Sequence, residues 1–86
     1  MVLSVHHPRY VALRQHLKGL RTSAGLTQIQ IAERLGLEQS YVSKIERGER
    51  YVDILFYIDW CKACGVKPEK TVTVLSKMTA RFALQA

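Results

Sequence analysis

An all-α fold of five short helices is what the amino-acid sequence predicts. Three observations carry that prediction. Apolar residues recur at three- and four-residue steps along most of the chain, which is the spacing of one helix face. Pro8, Thr27, Asp53 and Pro68 stand where helices start, as first-turn prolines and side-chain caps do. Glycines 25, 36, 48 and 65 stand where the apolar runs stop, as C-terminal glycines do.

The elements follow in order. After Pro8, the residues Tyr10, Leu13, Leu17, Leu20 and Ala24 form one stripe up to Gly25. Thr27-Gln28-Ile29-Gln30 has the form of a capping box. The Thr hydroxyl accepts from a free backbone N–H and the Gln reaches back to the cap. Ile31, Ala32 and Leu35 make the inner face of the short helix that follows, and Gly36 ends it. A third helix in "EQSYVSKIERGER" has Val42 and Ile45 as its apolar positions and stops at Gly48. Asp53 caps a fourth, with Ile54, Tyr57, Ile58, Cys61 and Cys64 as its stripe. Pro68 opens the last segment, whose stripe is Val72, Leu75, Met78 and Phe82. The β-branched run Thr71-Val72-Thr73-Val74 leaves a short strand open there. A helix from about 68 to 84 is the preferred reading.

Size and composition bound the rest. With 86 residues, a single domain over 1–86 is expected, its core at about 8–67. Thirteen Lys and Arg against seven Asp and Glu give a net charge of +6. A small basic domain suits a polyanion, with nucleic acid first and an anionic membrane surface second. The opening "MVLSVHHPRY" has neither a basic start nor a sustained apolar run. No signal peptide and a cytoplasmic location are therefore expected. No apolar stretch is long enough for a membrane span. Two cysteines do not make a secreted disulfide scaffold.

The segment "TQIQIAERLGLEQSYVSKIERG" sets two short helices about a glycine-containing turn, the helix-turn-helix arrangement. In that arrangement the second helix projects its outer face into the major groove of double-stranded DNA. At about 100° per residue, Val42 and Ile45 mark the inward side. Ser40, Ser43, Lys44 and Arg47 lie opposite, with Gln39 at the N-terminal edge. All five form hydrogen bonds: Ser, Gln and Lys to base edges, Lys and Arg also to phosphate. An ordinary solvated helix face is polar as well; the turn spacing and the positive charge favour the groove reading.

Residues from about 17 to 66 resemble the XRE family of helix-turn-helix domains, the lambda-repressor-like and Cro-like fold. Arg21 in "LKGLRTSAGLTQ", then "IAERLGL", "YVSKIERGER" and "ACGV" carry the resemblance, in the family's order. It implies a five-helix domain that binds operator DNA, usually as a homodimer on a palindrome. It further implies that Gln28 bonds a phosphate and braces Gln39. Base reading then falls to Gln39, Ser40, Ser43 and Lys44, and Arg21 pairs with Glu46 as a structural ion pair. The loop "RGERYVD" is implied to lie on the DNA backbone, which makes Arg47, Arg50 and Tyr51 phosphate candidates. Glu38 departs from the pattern, because Ser or Thr usually caps the recognition helix. Position 52 is Val where proline is common, and Ile29 stands at a commonly polar position.

His6, His7 and His16 do not converge with further ligands at metal-site spacing, and no metal or cofactor is expected. His16 is expected on the outer side of the first helix. Cys61 and Cys64 suggest a redox pair or half a zinc site. A reactive thiol belongs at a helix N-terminus after a strand, whereas this pair sits just before a C-terminal stop. Core packing is the expected role. Trp60 is expected on an adjoining face with Phe56, against the last helix or a partner subunit.

No phosphate-cradling glycine loop, catalytic carboxylate pair or nucleophile with a convergent base is present, so an enzyme is not expected. The leading expectation is a sequence-specific transcriptional regulator, a repressor-like dimer. The alternative is an antitoxin or accessory module on the same domain that engages a protein partner. A redox protein using the two cysteines is the third reading.

Overall fold

Local chemistry sets where each helix begins. The computed structural model describes residues 4–82. Within them run α1 (Pro8–Ser23), α2 (Gln28–Leu35), α3 (Gln39–Glu46), α4 (Ile54–Ala63) and α5 (Pro68–Thr79). Pro8 and Pro68 occupy first-turn positions, and His7 Nδ1 accepts from the Arg9 N–H at 3.1 Å. At α2 the capping box is complete: Thr27 Oγ1 accepts from Gln30 N–H at 3.1 Å, and Gln30 Oε1 accepts from Thr27 N–H at 2.9 Å. Asp53 caps α4 by accepting from Phe56 N–H at 2.8 Å. Glu38 stands at the N-cap of α3 and its side chain makes no capping bond.

Two turns depend on glycine. Gly36 ends α2 with φ +69, the left-handed backbone that lets α3 leave at a steep angle. Gly48 has φ +78, and a Cβ there would lie 2.0 Å from Arg14 Nη1. Arg14 covers that turn from α1, and its Nη1 also donates to Val5 O at 2.8 Å.

The core gathers where α1, α2, α3 and α4 meet. Leu17, Leu26, Ile31, Ala32, Val42, Ile45, Tyr57, Trp60, Cys61 and Cys64 are all buried and form one cluster. α2 packs on α3 and α4, α1 on α3 and α5, and α4 on α5. Arg34 of α2 donates to the last carbonyl of α4, Ala63 O, at 2.7 Å.

The structure departs from the sequence expectation at several residues. His16 is buried, not on the outer side of α1. Its Nε2 lies 2.8 Å from the Tyr57 hydroxyl. The Tyr57 hydroxyl donates to Thr71 Oγ1 at 2.9 Å, and Thr71 donates to Pro68 O at 3.2 Å. A carbonyl only accepts, so the chain of donors runs one way and His16 Nε2 carries a proton. Three helices are joined by this relay. α1 is covered on two sides, by α3 and by α5, so its buried arc is wider than its apolar stripe and takes in Ala12 and His16 while Ala24 is exposed.

Trp60 adjoins Phe56 as expected, with ring centres 5.8 Å apart, but it does not look out toward a partner. It is fully buried, and its Nε1 donates to Leu17 O at 3.0 Å. Ile54 is exposed instead, with Leu55 beside it. Residues 71–74 are helical, so the strand alternative falls. α5 stops at Thr79, short of residue 84, which lies outside the described residues. Val72 is exposed, and Thr71, Leu75 and Thr79 face inward in its place. Cys61 and Cys64 are free thiols in the core, as expected.

Candidate nucleic-acid interface

Val42 and Ile45 of α3 are fully buried, Tyr41 packs partly buried against the core and the Glu46 carboxylate turns in toward Arg21. Gln39 and Ser40 are exposed, and Ser43 and Lys44 are half-buried. The four expected base-reading residues therefore share the outer surface of one short helix that follows a glycine turn.

A hydrogen-bond chain fixes the first of them. Arg21 Nε donates to Glu46 Oε2 at 2.7 Å, and Arg21 Nη2 to Glu46 Oε1 at 3.0 Å. Arg21 Nη1 donates to Leu26 O at 2.8 Å. The fork geometry is the strong, bidentate form of the pair. Side-chain exposure is 10% for Arg21 and 4% for Glu46, so the expected structural ion pair is present and largely dry. Gln28 Nε2 donates to Glu46 Oε1 at 3.0 Å. Gln39 Nε2 then donates to Gln28 Oε1 at 2.7 Å. An ionised carboxylate only accepts. Glu46 thus sets which end of the Gln28 amide faces it, and Gln28 sets the Gln39 amide in turn. Gln39 keeps a free carbonyl oxygen and one N–H for an external partner, and Gln28 keeps one N–H.

Of the expected phosphate residues, Gln28 opens α2, and Arg47, Arg50 and Tyr51 follow the last turn of α3. Arg47 Nη1 donates to Ser43 Oγ at 2.8 Å, and Arg47 Nε lies 2.5 Å from Glu49 Oε2. Both partners of that ion pair are more than half exposed, so it is worth little. The Arg50 guanidinium sits 5.1 Å from the centre of the Tyr41 ring. Tyr51 is exposed and meets Tyr10 edge-on at 5.1 Å. Burial raises the Tyr10 hydroxyl pKa, with Tyr51 adding to the shift. Arg47, Arg50 and Tyr51 are all exposed on one loop.

Sequence reasoning missed Tyr41. It packs on Phe56 at 6.1 Å between ring centres and carries Arg50 on its face. An aromatic one position before the buried Val42 was the available signal. Which loop cation it would meet depended on the path of residues 47–53. Arg14 was missed for the same reason: only the folded chain brings it over Gly48.

Among the described residues, no three His, Cys, Asp or Glu side chains gather as metal ligands. Burial, with Cys61 beside it, pushes the Cys64 thiol up to about 11, the reverse of a reactive thiol. Among the described residues, no helix is long and apolar enough to cross a membrane.

The chain is similar to several known proteins. The helix-turn-helix family model matches residues 17–70. The "Uncharacterized HTH-type transcriptional regulator y4dJ" of Sinorhizobium fredii is 37% identical over 54 residues, which are 63% of this chain and 70% of that protein. An XRE-family like protein from Pseudomonas syringae pv. tomato superposes with a TM-score of 0.75 at 42% identity, covering 83% of this chain and 87% of its own. The restriction-modification controller protein C.AhdI from Aeromonas hydrophila gives 0.63 at 36% identity, covering 71% and 92%. The clp gene regulator ClgR from C. glutamicum gives 0.70 at 25% identity, covering 99% and 100%.

Proposed function

The chain belongs to the XRE family of helix-turn-helix DNA-binding regulators, and from that premise we propose that it is a sequence-specific repressor-like protein acting as a dimer on a palindromic operator. The observation that carries the proposal is the chain Arg21–Glu46–Gln28–Gln39. It is preorganisation of an amide on an exposed helix face, where only an external donor–acceptor pair would use it. Base reading is assigned to Gln39, Ser40, Ser43 and Lys44. Backbone phosphates are assigned to Gln28, Arg47, Arg50 and Tyr51. The phosphate contacts supply much of the affinity and make it fall steeply with salt.

The dimer surface is assigned to the start of α4 rather than to the apolar stripe of α5. Leu75 and Met78 of α5 are half-buried against the rest of the domain, so that stripe helps complete the monomer. Ile54 and Leu55 are 64% and 69% exposed at the start of α4, directly after the candidate phosphate loop. A two-fold contact there would carry two recognition helices to half-sites roughly 34 Å apart.

Selection of bound fragments from random-sequence DNA tests the reading. A palindromic consensus is expected. No enrichment, or a single undivided site, refutes the palindromic reading. Sedimentation of the wild type and of Leu55→Asp tests the dimer, with the variant expected to be monomeric.

A further inference from the structure

The N-cap of α3 has a carboxylate where capping chemistry prefers a hydroxyl or a shorter acid. Glu38 adopts the extended backbone of a cap residue, with φ −71 and ψ 146, but its side chain bonds none of the first-turn N–H groups. Neither ion pair found among the described residues uses it. The side chain is exposed. With Gly36, Leu37, Ser40, Tyr41 and Lys44 it lines a shallow recess of about 310 Å³ beside the recognition face. A free negative charge at this point weakens any approach to phosphate. It is therefore a liability in a DNA-binding surface unless the groove presents it with a donor.

The major groove presents two kinds of base donor, cytosine N4–H₂ and adenine N6–H₂. At adenine the donor is flanked by the N7 acceptor, which repels a carboxylate. At cytosine it is not. Lys44 lines the same recess, and an ammonium donates to guanine O6 and N7. The two side chains thus offer an acceptor and a donor to the edges of a cytosine and a guanine.

We propose that Glu38 is a specificity-determining residue of this interface, accepting a hydrogen bond from cytosine N4 at the operator position that faces the start of α3. The assignment rests on the base-reading role of the α3 face. It adds a residue that the helix-turn-helix reading leaves outside the reading set.

The test is random-DNA selection with three proteins: wild type, Glu38→Gln and Glu38→Ser. Thermal unfolding of each accompanies it, because Ser supplies the missing cap and keeps the test interpretable if Gln disturbs the fold. Wild type is expected to enrich cytosine at one position of each half-site by about five- to tenfold over other bases, the low end of a base contact. An amide both accepts and donates and so matches adenine N6 and N7. Glu38→Gln is therefore expected to move the preference at that position from cytosine to adenine. Glu38→Ser is expected to leave it flat, with the other positions unchanged. If the base at every position is the same for all three proteins and the variants bind all sequences more tightly, Glu38 only repels phosphate and the proposal is overturned alone. If the wild type enriches no sequence at all, the reading of the α3 face falls together with it.

Discussion

Replacing Glu46 by Ala is expected to come close to unfolding the domain. Glu46 accepts from Arg21 Nε at 2.7 Å, from Arg21 Nη2 at 3.0 Å and from Gln28 Nε2 at 3.0 Å, with its side chain 4% exposed. Without it, the Arg21 guanidinium keeps only Leu26 O. Stranding one partner of a buried pair costs about 3–5 kcal/mol. A chain of 86 residues has a total stability of about 4–13 kcal/mol. At about 4–8 °C per kcal/mol for domains of this size, the melting temperature falls by about 12–40 °C. Thermal unfolding followed by circular dichroism measures this. Glu46→Gln keeps one acceptor and is expected to lose about half as much. The double variant Arg21→Met/Glu46→Leu buries no charge and is expected to recover most of the stability. Its DNA affinity is not expected to recover, because Gln28 and through it Gln39 lose their anchor. A loss below about 1 kcal/mol for Glu46→Ala, the range of an exposed pair, would refute the reasoning. So would a double variant as unstable as the single one.

Other outcomes follow from the same structure. Lys44→Ala is expected to weaken operator binding with unchanged thermal unfolding; equal affinity in a gel-shift titration removes Lys44 from the reading face. Burial lowers the pKa of His16, so the unfolded chain takes up that proton more readily. This contribution to stability is complete above the unfolded value near 6.5 and is lost as pH falls from there toward the folded value. His16→Gln is expected to flatten that part of a melting-temperature profile between about pH 5 and 7; an unchanged slope assigns the effect elsewhere. Cys64, buried and pushed up to about 11, is expected to resist alkylation at pH 8 in the native state and to react rapidly after denaturation. Prompt native labelling at Cys64 would argue for an accessible thiolate.

Helix boundaries were legible because they rest on chemistry within a few residues. The capping box at Thr27 and Gln30, the Asp53 cap and the prolines at 8 and 68 needed no tertiary information. The inner face of α3 was equally plain, since Val42 and Ile45 are its two strongly apolar residues on one side. In α4 the expected stripe held at Tyr57, Cys61 and Cys64 but not at Ile54, and it lacked Trp60. Ile54, Leu55, Phe56, Tyr57, Ile58, Trp60 and Cys61 surround that helix almost entirely with apolar side chains, so at the edges of the stripe burial follows from which neighbours arrive. His16 illustrates the same limit from the polar side. Its place in the core depends on a hydroxyl 41 residues away. At the interface, residue positions were legible but pairings such as Arg50 on Tyr41 and Arg47 on Ser43 were not, because the path of the loop decides them.

Val42 and Ile45, the partly buried Tyr41 and the Glu46 carboxylate tie α3 to the rest of the domain. Among the described residues, the Ser40 and Lys44 side chains make no hydrogen bond or ion pair, and the Ser43 hydroxyl bonds only the exposed Arg47. On the proposed base-reading assignment, single substitutions at these positions are expected to change operator preference with little penalty in folding. Gln39 is the exception, tied through Gln28 to a buried charge. Within a lineage descended from such a domain, drift at 40, 43 and 44 should be fast and change at 39 slow. The division between what holds the helix and what faces outward is, in that sense, a template for divergence.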